Sequence, residues 1–194
     1  MSGKSELVPG ADPNGPMSHS KRRFLATAGL GSVGLLWGAK GGGAKAAEVR
    51  SLSFHHTHTD EKLSLVYYSE GSYPIEAQRR INHLLRDHRT QAIFPIDPRL
   101  LDLLFDVSWQ TGAHSVFEVI CGYRSPATNE MLRARSAGVS KDSLHMVGRA
   151  IDVRLGHVQT ARLRDIALAM RRGGVGYYPQ SDFVHLDLGR VRSW

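Results

Sequence analysis

The sequence predicts a single α+β domain, in which an antiparallel sheet carries helices packed mainly on one of its sides. Alternating apolar residues over 49–67, 150–155 and 183–187 predict strands that bury one face. Apolar residues at helical spacing over 76–107 and 158–170 predict helices with one buried stripe. The chain has 194 residues, 41% of them hydrophobic, which is enough for one sizeable core.

The N-terminal stretch is organised differently from the rest of the chain. A basic cluster, Lys21-Arg22-Arg23, precedes an apolar, glycine-rich run that ends near Gly38. The small-residue pattern Ala44-Lys45-Ala46 then suits cleavage by a signal peptidase. These are the three regions of a secretory signal, so we expect residues 1–46 to be a leader and residues 47–194 to be the mature domain.

The basic cluster resembles that of a twin-arginine leader, with one departure. The usual pattern separates a basic pair from Phe-Leu by one residue, and here Lys21-Arg22 is the pair and Arg23 the spacer before Phe24-Leu25. Because the pair is Lys-Arg, the general secretory route stays an alternative. An uncleaved membrane anchor is disfavoured, since the apolar run is shorter than the roughly 20 residues that span a bilayer.

Charge and cysteine content limit the classes of partner and of covalent structure. The net charge is +7, and residues 1–46 hold six Lys and Arg against two Asp and Glu, so more than half of that charge lies in the leader. The remainder is too small to indicate a nucleic-acid partner. Cys121 is the only cysteine and permits no intrachain disulfide.

The first two predicted strands flank a histidine-rich stretch, H-H-T-H-T-D-E, whose composition suits a hairpin turn. Its histidines, His55, His56 and His58, are candidates for a metal site because they cluster. Neighbouring residues of a strand point to opposite faces, however, which opposes their convergence on one ion. We therefore expect a solvated strand end here.

Four helices are predicted, over 76–88, from 97 to about 111, over 127–136 and over 158–170. The second has the clearest start, because Asp97 suits the N-cap and Pro98 the first helical position. The first, second and fourth carry a broad apolar stripe and are predicted to cover the core.

A buried strand is predicted over 116–120, and it leads into Cys121-Gly122-Tyr123-Arg124-Ser125. Arg124 has two interpretations, because a guanidinium at the end of a central strand either holds a substrate carboxylate or forms a structural ion pair. Cys121 is expected to be a small buried apolar residue, since no nucleophile pattern accompanies it.

Two short motifs carry the candidate chemistry. Ser143 to Asp152 reads S-L-H-M-V-G-R-A-I-D and separates His145 from Asp152 by seven positions. Downstream, D-F-V-H-L-D contains His185, whose strand face also carries Asp187. Two imidazoles and one carboxylate are the ligand set of an open zinc site, in which water takes the fourth position.

Together, these motifs resemble the zinc D-Ala-D-Ala metallopeptidases, a group related to lysostaphin-type enzymes and to the hedgehog signalling domain. The resemblance is carried by Cys121 to Ser125, Ser143 to Asp152, Gly174 to Pro179 and Phe183 to Asp187, and it covers roughly residues 50–194. It implies one zinc ion held by His145, Asp152 and His185 on the exposed face of the sheet.

The resemblance also suggests a catalytic base. Many members of the group carry an acidic residue three positions before the last histidine ligand, and Asp182 occupies that position. Asp187 is the alternative, either as the base or as the group that orients His185. The carboxylate interpretation of Arg124 implies that it anchors a carboxylate of the substrate peptide.

The expected function is that of a periplasmic zinc endopeptidase that cleaves the peptide cross-links of peptidoglycan, with the stem peptides as partner. Two alternatives remain open at this point. One is a D,D- or L,D-carboxypeptidase that trims stem termini, and the other is a cell-wall-binding module that holds zinc without catalysis, as in the hedgehog domain.

Overall fold

The computed structural model describes residues 48–112, 115–136 and 138–194. Within these residues the chain forms one mixed sheet of seven strands with four α-helices, which confirms the predicted α+β class. In chain order the elements are β1 (Arg50–His56), β2 (Lys62–Tyr68), α1 (Ile75–Leu84), α2 (Pro98–Thr111), β3 (Phe117–Cys121), α3 (Pro126–Arg135), β4 (Ala150–Leu155), α4 (Thr160–Met170), β5 (Gly174–Tyr178), β6 (Phe183–Asp187) and β7 (Arg192–Ser193).

The strand order is β2-β1-β3-β4-β6-β5-β7, and two of its neighbouring pairs are parallel. The expectation of an antiparallel sheet is therefore wrong for β1–β3 and for β5–β7. Between β1 and β3 the chain passes through β2, α1 and α2, a connection long enough to return β3 alongside β1 in the same direction. The two-residue β7 is too short for a hydrophobic pattern to predict it.

Alternation along β4 and β6 separates an apolar face from a polar one. Ile151, Val153, Val184 and Leu186 are fully buried in the hydrophobic core. The helices that complete this core are α1, α2 and α4, whereas α3 contributes no residue to it among those described. The opposite face of β4 and β6 is thereby left for polar side chains.

The helix boundaries follow local hydrogen bonding. At the start of α2 the Asp97 side chain accepts a bond from the Arg99 amide, and the helix ends at Gly112 in the left-handed conformation, as the sequence predicts. The sequence predicts the first helix over 76–88, but in the structure α1 ends at Leu84. Beyond it, Asp87 accepts bonds from the Arg89 and Thr90 amides and turns the chain away from the helix.

The histidine-rich stretch is not the solvated strand end that the sequence predicts. His56 is buried rather than solvated, with only 1% of its surface exposed. Its ring lies 6.0 Å from that of His58 and 5.7 Å from that of His88, between ring centroids. His55 points elsewhere and pairs with Asp60. The stretch therefore packs against the turn that follows α1.

No helix in the described part of the chain combines the length and the apolar character needed to cross a bilayer. The leader expected over residues 1–46 lies outside the described residues.

Candidate metal centre

Three elements bring the predicted ligands to the polar face of the sheet. His145 lies on a single 3₁₀ turn, Leu144–Val147, while Asp152 lies on β4 and His185 on β6. Asp152 and His185 are direct partners in the β4–β6 register. Because side chains alternate along each strand, both point away from the core that Ile151 and Val184 enter.

The three side chains converge on one point. His145 Nε2 lies 3.1 Å from His185 Nδ1 and 3.3 Å from Asp152 Oδ1, and His185 Nδ1 lies 2.8 Å from that same oxygen. All three residues are buried. The structure therefore brings the predicted ligand set together on the side of the sheet where it was expected.

Hydrogen bonds behind the two imidazoles decide which nitrogens face the centre. His145 donates its Nδ1 proton to the Gly122 carbonyl over 2.7 Å, so the Nε2 of the neutral ring carries a lone pair. His185 donates its Nε2 proton to Asp187 over 3.0 Å, which leaves the lone pair on Nδ1. Two lone pairs and a carboxylate oxygen thus meet in a buried space, and such a donor set fits a metal cation.

The direction in which the pKa of His145 is shifted indicates a negative electrostatic potential at the centre. Burial alone lowers the pKa of an imidazole, because it disfavours the charged form. The Asp152 carboxylate and the nearby Cys121 outweigh burial, so the pKa of His145 is raised. The pKa of the Asp152 carboxyl, which burial would raise, is held well below its usual range by the two histidines. A metal cation bound between these side chains would be stabilised by the same negative charge of Asp152.

Asp187 lies behind His185 and is fully buried. Besides the His185 proton, it accepts bonds from the backbone amides of Gly174 and Gly189 and a bidentate pair from Arg192. Burial raises the pKa of this carboxyl. The bonds from His185 and Arg192 lower it by more than burial raises it, so the net shift is downward. Of the two roles that the sequence left open for Asp187, the geometry favours orientation of His185.

Asp182 is not brought to the centre. It lies in the turn between β5 and β6 with a φ of 50°, is exposed, and accepts a bond from the Thr160 hydroxyl over 2.7 Å. Together with Arg154 it lines a different cavity, which the metal ligands do not line. The spacing argument for Asp182 as the base therefore has no geometric support.

Arg124 forms a structural ion pair, and its position is also compatible with the carboxylate-binding interpretation. Its Nη2 lies 3.7 Å from Asp152 Oδ2, which is an ion pair, and the side chain also lines the cavity that opens on the metal ligands. The loop that carries it is fixed from behind, since Asp87 accepts bonds from the amide and hydroxyl of Ser125 over 2.9 and 2.6 Å.

That cavity has a volume of about 460 Å³ and one aromatic wall. Trp194 packs 5.2 Å from the His185 ring, and its indole nitrogen donates to the Tyr178 hydroxyl over 2.8 Å. The indole lies over Gly176, where any Cβ would approach it to 2.7 Å. Position 176 must therefore be glycine for the Trp194 ring to pack against His185.

The sequence analysis assigned no role to several residues that line this cavity, among them Asp142, Tyr178, Arg192 and Trp194. Asp142 is exposed and precedes His145 by three positions. Arg192 begins the short β7 and Trp194 follows its last residue, so their spacing of two positions is the only signal in the sequence for a shared face.

Cys121 also differs from its predicted role. It is half-buried rather than part of the core, and its sulfur forms a set with one ligand atom each of His145 and Asp152, all within 4.8 Å of one another. Such a set is able to hold a metal ion.

Comparison with known proteins finds a matching family and several relatives. The model of the family described as peptidoglycan L,D-endopeptidase MepK matches residues 44–194. The chain belongs to this family. A MepK of Escherichia coli strain K12 is 41% identical over 145 residues, covering 75% of this chain and 80% of the relative. A probable MepK of Haemophilus influenzae is 34% identical over 180 residues, covering 92% and 97% respectively.

The MepK family model thus spans every element from β1 to β7, including all the residues that form the metal centre. A relative from Shigella flexneri has the same name and the same 41% identity over 145 residues. No solved structure matches the chain. The family resemblance inferred from the motifs is confirmed at the level of the MepK family.

Proposed function

We propose that this protein is a periplasmic zinc-dependent endopeptidase that hydrolyses peptide cross-links in peptidoglycan. The observation that carries the proposal is the convergence of His145 Nε2, Asp152 Oδ1 and His185 Nδ1 within 3.3 Å, in a chain of the MepK family. The curated relatives are named peptidoglycan L,D-endopeptidases, and we extend that activity to this chain.

The donor set supports zinc as the metal. Two imidazole nitrogens and one carboxylate oxygen match the three-ligand sets of catalytic zinc sites. His145, Asp152 and His185 would hold the ion, with Asp187 fixing the orientation of His185. When bound, zinc acts as a Lewis acid that polarises the peptide carbonyl and lowers the pKa of water.

Arg124 supports a substrate with a free carboxylate. Its guanidinium lines the cavity beside the ligands and is anchored by Asp152 and Asn129, with Nη1 3.4 Å from Asn129 Oδ1. A planar guanidinium binds a carboxylate through two parallel hydrogen bonds. Peptidoglycan stem peptides carry such carboxylates, so Arg124 would orient the scissile bond relative to the metal ligands.

We assign proton transfer to Asp142 rather than to Asp182 or Asp187. Three carboxylates line the cavity among the described residues, namely Asp142, Asp152 and Asp187. Asp152 is assigned to the metal, and Asp187 is already held by His185, Arg192 and two amides. Asp142 is exposed at the cavity and is the one free to take a proton from the attacking water and pass it to the leaving amine.

The leader supports the proposed location. Residues 1–46 contain a basic cluster, an apolar run and an A-x-A pattern, as in an exported precursor. We propose export to the periplasm by the twin-arginine route. We propose no nucleic-acid partner and no membrane anchor after cleavage.

Digestion of purified murein by the zinc-loaded protein, with mass analysis of the fragments, tests the proposed function. An endopeptidase converts cross-linked muropeptide dimers into monomers, and removal of zinc with a chelator abolishes this conversion. Release of single terminal residues with every cross-link intact would instead identify a carboxypeptidase. Binding to murein without any cleavage would identify a zinc-containing binding module.

A further inference from the structure

Cys121 reaches the metal centre through an irregularity in the sheet. Along β3, Phe117 and Val119 are fully buried in the core, so simple alternation would point Cys121 into the core as well. The β3–β4 register shifts between Val119 and Cys121, and this bulge makes Cys121 the direct partner of Asp152. Bulges of this kind re-aim a side chain and are frequent beside active sites.

The result is a row of three side chains across neighbouring strands. Asp152 on β4 has Cys121 of β3 as its partner on one side and His185 of β6 on the other. The Cys121 sulfur lies within 4.8 Å of ligand atoms of both His145 and Asp152. The thiol therefore approaches the centre from the side opposite His185.

A cationic side chain lies beside the sulfur. The Arg124 Nη2 lies 3.6 Å from the sulfur, so a positive charge faces it directly. Thiolate sulfur is a preferred zinc ligand, with a bond of about 2.3 Å. Formation of the metal–sulfur bond would release the thiol proton to solvent, leaving the sulfur coordinated as a thiolate.

We propose that Cys121 is a fourth protein ligand in the resting metal site. The inference rests on the proposed function, since it takes His145, Asp152 and His185 as the other three ligands. Sites with four protein ligands are closed, whereas catalytic sites keep one position for water. Cys121 would therefore hold, in the resting site, the position that a catalytic zinc site keeps for water.

Cobalt(II) substitution tests this assignment directly, because Cys121 is the only cysteine in the chain. The cobalt-loaded protein is expected to show a near-ultraviolet sulfur-to-cobalt charge-transfer band at one equivalent of metal. Cys121→Ser is expected to retain cobalt and lose that band. Cobalt binding by the parent protein without the band would overturn the inference while leaving the proposed metal site intact, whereas failure of the parent to bind cobalt or zinc at all would overturn both.

A second measurement uses the unaltered protein, in case the variant does not fold. The rate at which iodoacetamide alkylates Cys121 is compared in the metal-free and zinc-loaded forms. Coordination of the sulfur is expected to suppress alkylation, and chelation of the zinc to restore it. Asp152→Ala is the control, since loss of that ligand should remove the protection by zinc. Equal alkylation rates in the metal-free and zinc-loaded parent would contradict sulfur coordination.

Discussion

The Asp187 carboxylate accepts the Nε2 proton of His185 over 3.0 Å, while Nδ1 of the same ring lies 2.8 Å from Asp152. One residue thus fixes the tautomer of another and aims its free nitrogen at the metal centre. Arg192 and two backbone amides hold Asp187 in turn, so the orientation of this ligand depends on a rigid network beneath the cavity.

Asp187→Asn is therefore expected to weaken zinc binding. Every partner of Asp187 donates a hydrogen bond to it. The NH2 group of asparagine is also a donor, so it would face one of these donors without forming a bond, and His185 would lose its alignment. Loss of such a supporting group lowers metal affinity by roughly 10–100-fold. Competition with a chromogenic chelator measures the affinity. Asp182→Asn makes the same chemical change outside the cavity and should leave zinc affinity unaltered; a similar loss in both variants would contradict the network's role.

Asp142→Asn is expected to lower kcat by roughly 10²–10⁴-fold while the protein stays zinc-loaded. The reason is that a base is removed from the cavity and no metal ligand is touched. Asp182→Asn should stay close to the parent in turnover of cross-linked muropeptides. The opposite result, a zinc-loaded but inactive Asp182→Asn beside an active Asp142→Asn, would return the base role to Asp182.

Arg124→Gln is expected to raise KM for a substrate with a free carboxylate by roughly 10–100-fold, because a charge-assisted hydrogen bond is lost. Steady-state kinetics on purified muropeptides separate KM from kcat. Arg190→Gln is the matched control, since it removes the same charge from an exposed position two residues from Arg192. A fall in kcat alone, with KM unchanged, would argue against carboxylate capture.

The polar face of β4 and β6 was predictable because a period of two is visible in sequence wherever one face is apolar. That rule places Asp152, His185 and Asp187 on one side, and the predicted strand over 183–187 agrees with β6 to the residue. The ligand role itself stays a prediction until metal binding is measured.

Other features depend on information that spacing does not contain. Asp182 precedes His185 by three positions, yet the positive φ of Asp182 turns the chain so that its side chain joins Thr160. Cys121 faces the metal centre through a bulge, which local composition does not reveal. His56 is buried because His88, 32 positions along, packs against it. In each case a tertiary contact or a local backbone irregularity overrides the pattern.

The stability of the protein is expected to fall between about pH 6.5 and pH 4, partly through His56. Burial, together with the charges of His88 and His58, lowers the pKa of His56 from 6.5 to about 4. In this interval the unfolded chain binds a proton that the folded protein excludes, so stability present above pH 6.5 is lost as the pH falls. The full contribution is at most about 3 kcal/mol.

Urea denaturation of the parent and of His56→Gln at pH 7 and pH 4.5 measures this effect. The parent should lose more stability on acidification than the variant, because the variant has no imidazole to protonate at that position. Glu61 and Arg86 also act on the His56 ring and are present in both proteins. Identical losses in the two proteins would show that His56 does not contribute.

Replacing Lys21, Arg22 and Arg23 with Gln is expected to leave an uncleaved precursor in the cytoplasm, because the leader loses its basic region. Cell fractionation and immunoblotting measure it. Inactivation of the twin-arginine translocase alone should have the same effect. Continued export after that inactivation would assign the leader to the general secretory route.

The direct pairing of Asp152 with His185 across β4 and β6 has a consequence for how this chain tolerates change in length. One residue inserted or deleted within either strand would turn one ligand towards the core, since side chains alternate. The turn at 179–182 lies beyond this pairing, so residues added there lengthen a hairpin end without altering which side chains oppose each other. Natural variation in chain length is therefore expected at that hairpin end and not within the two strands.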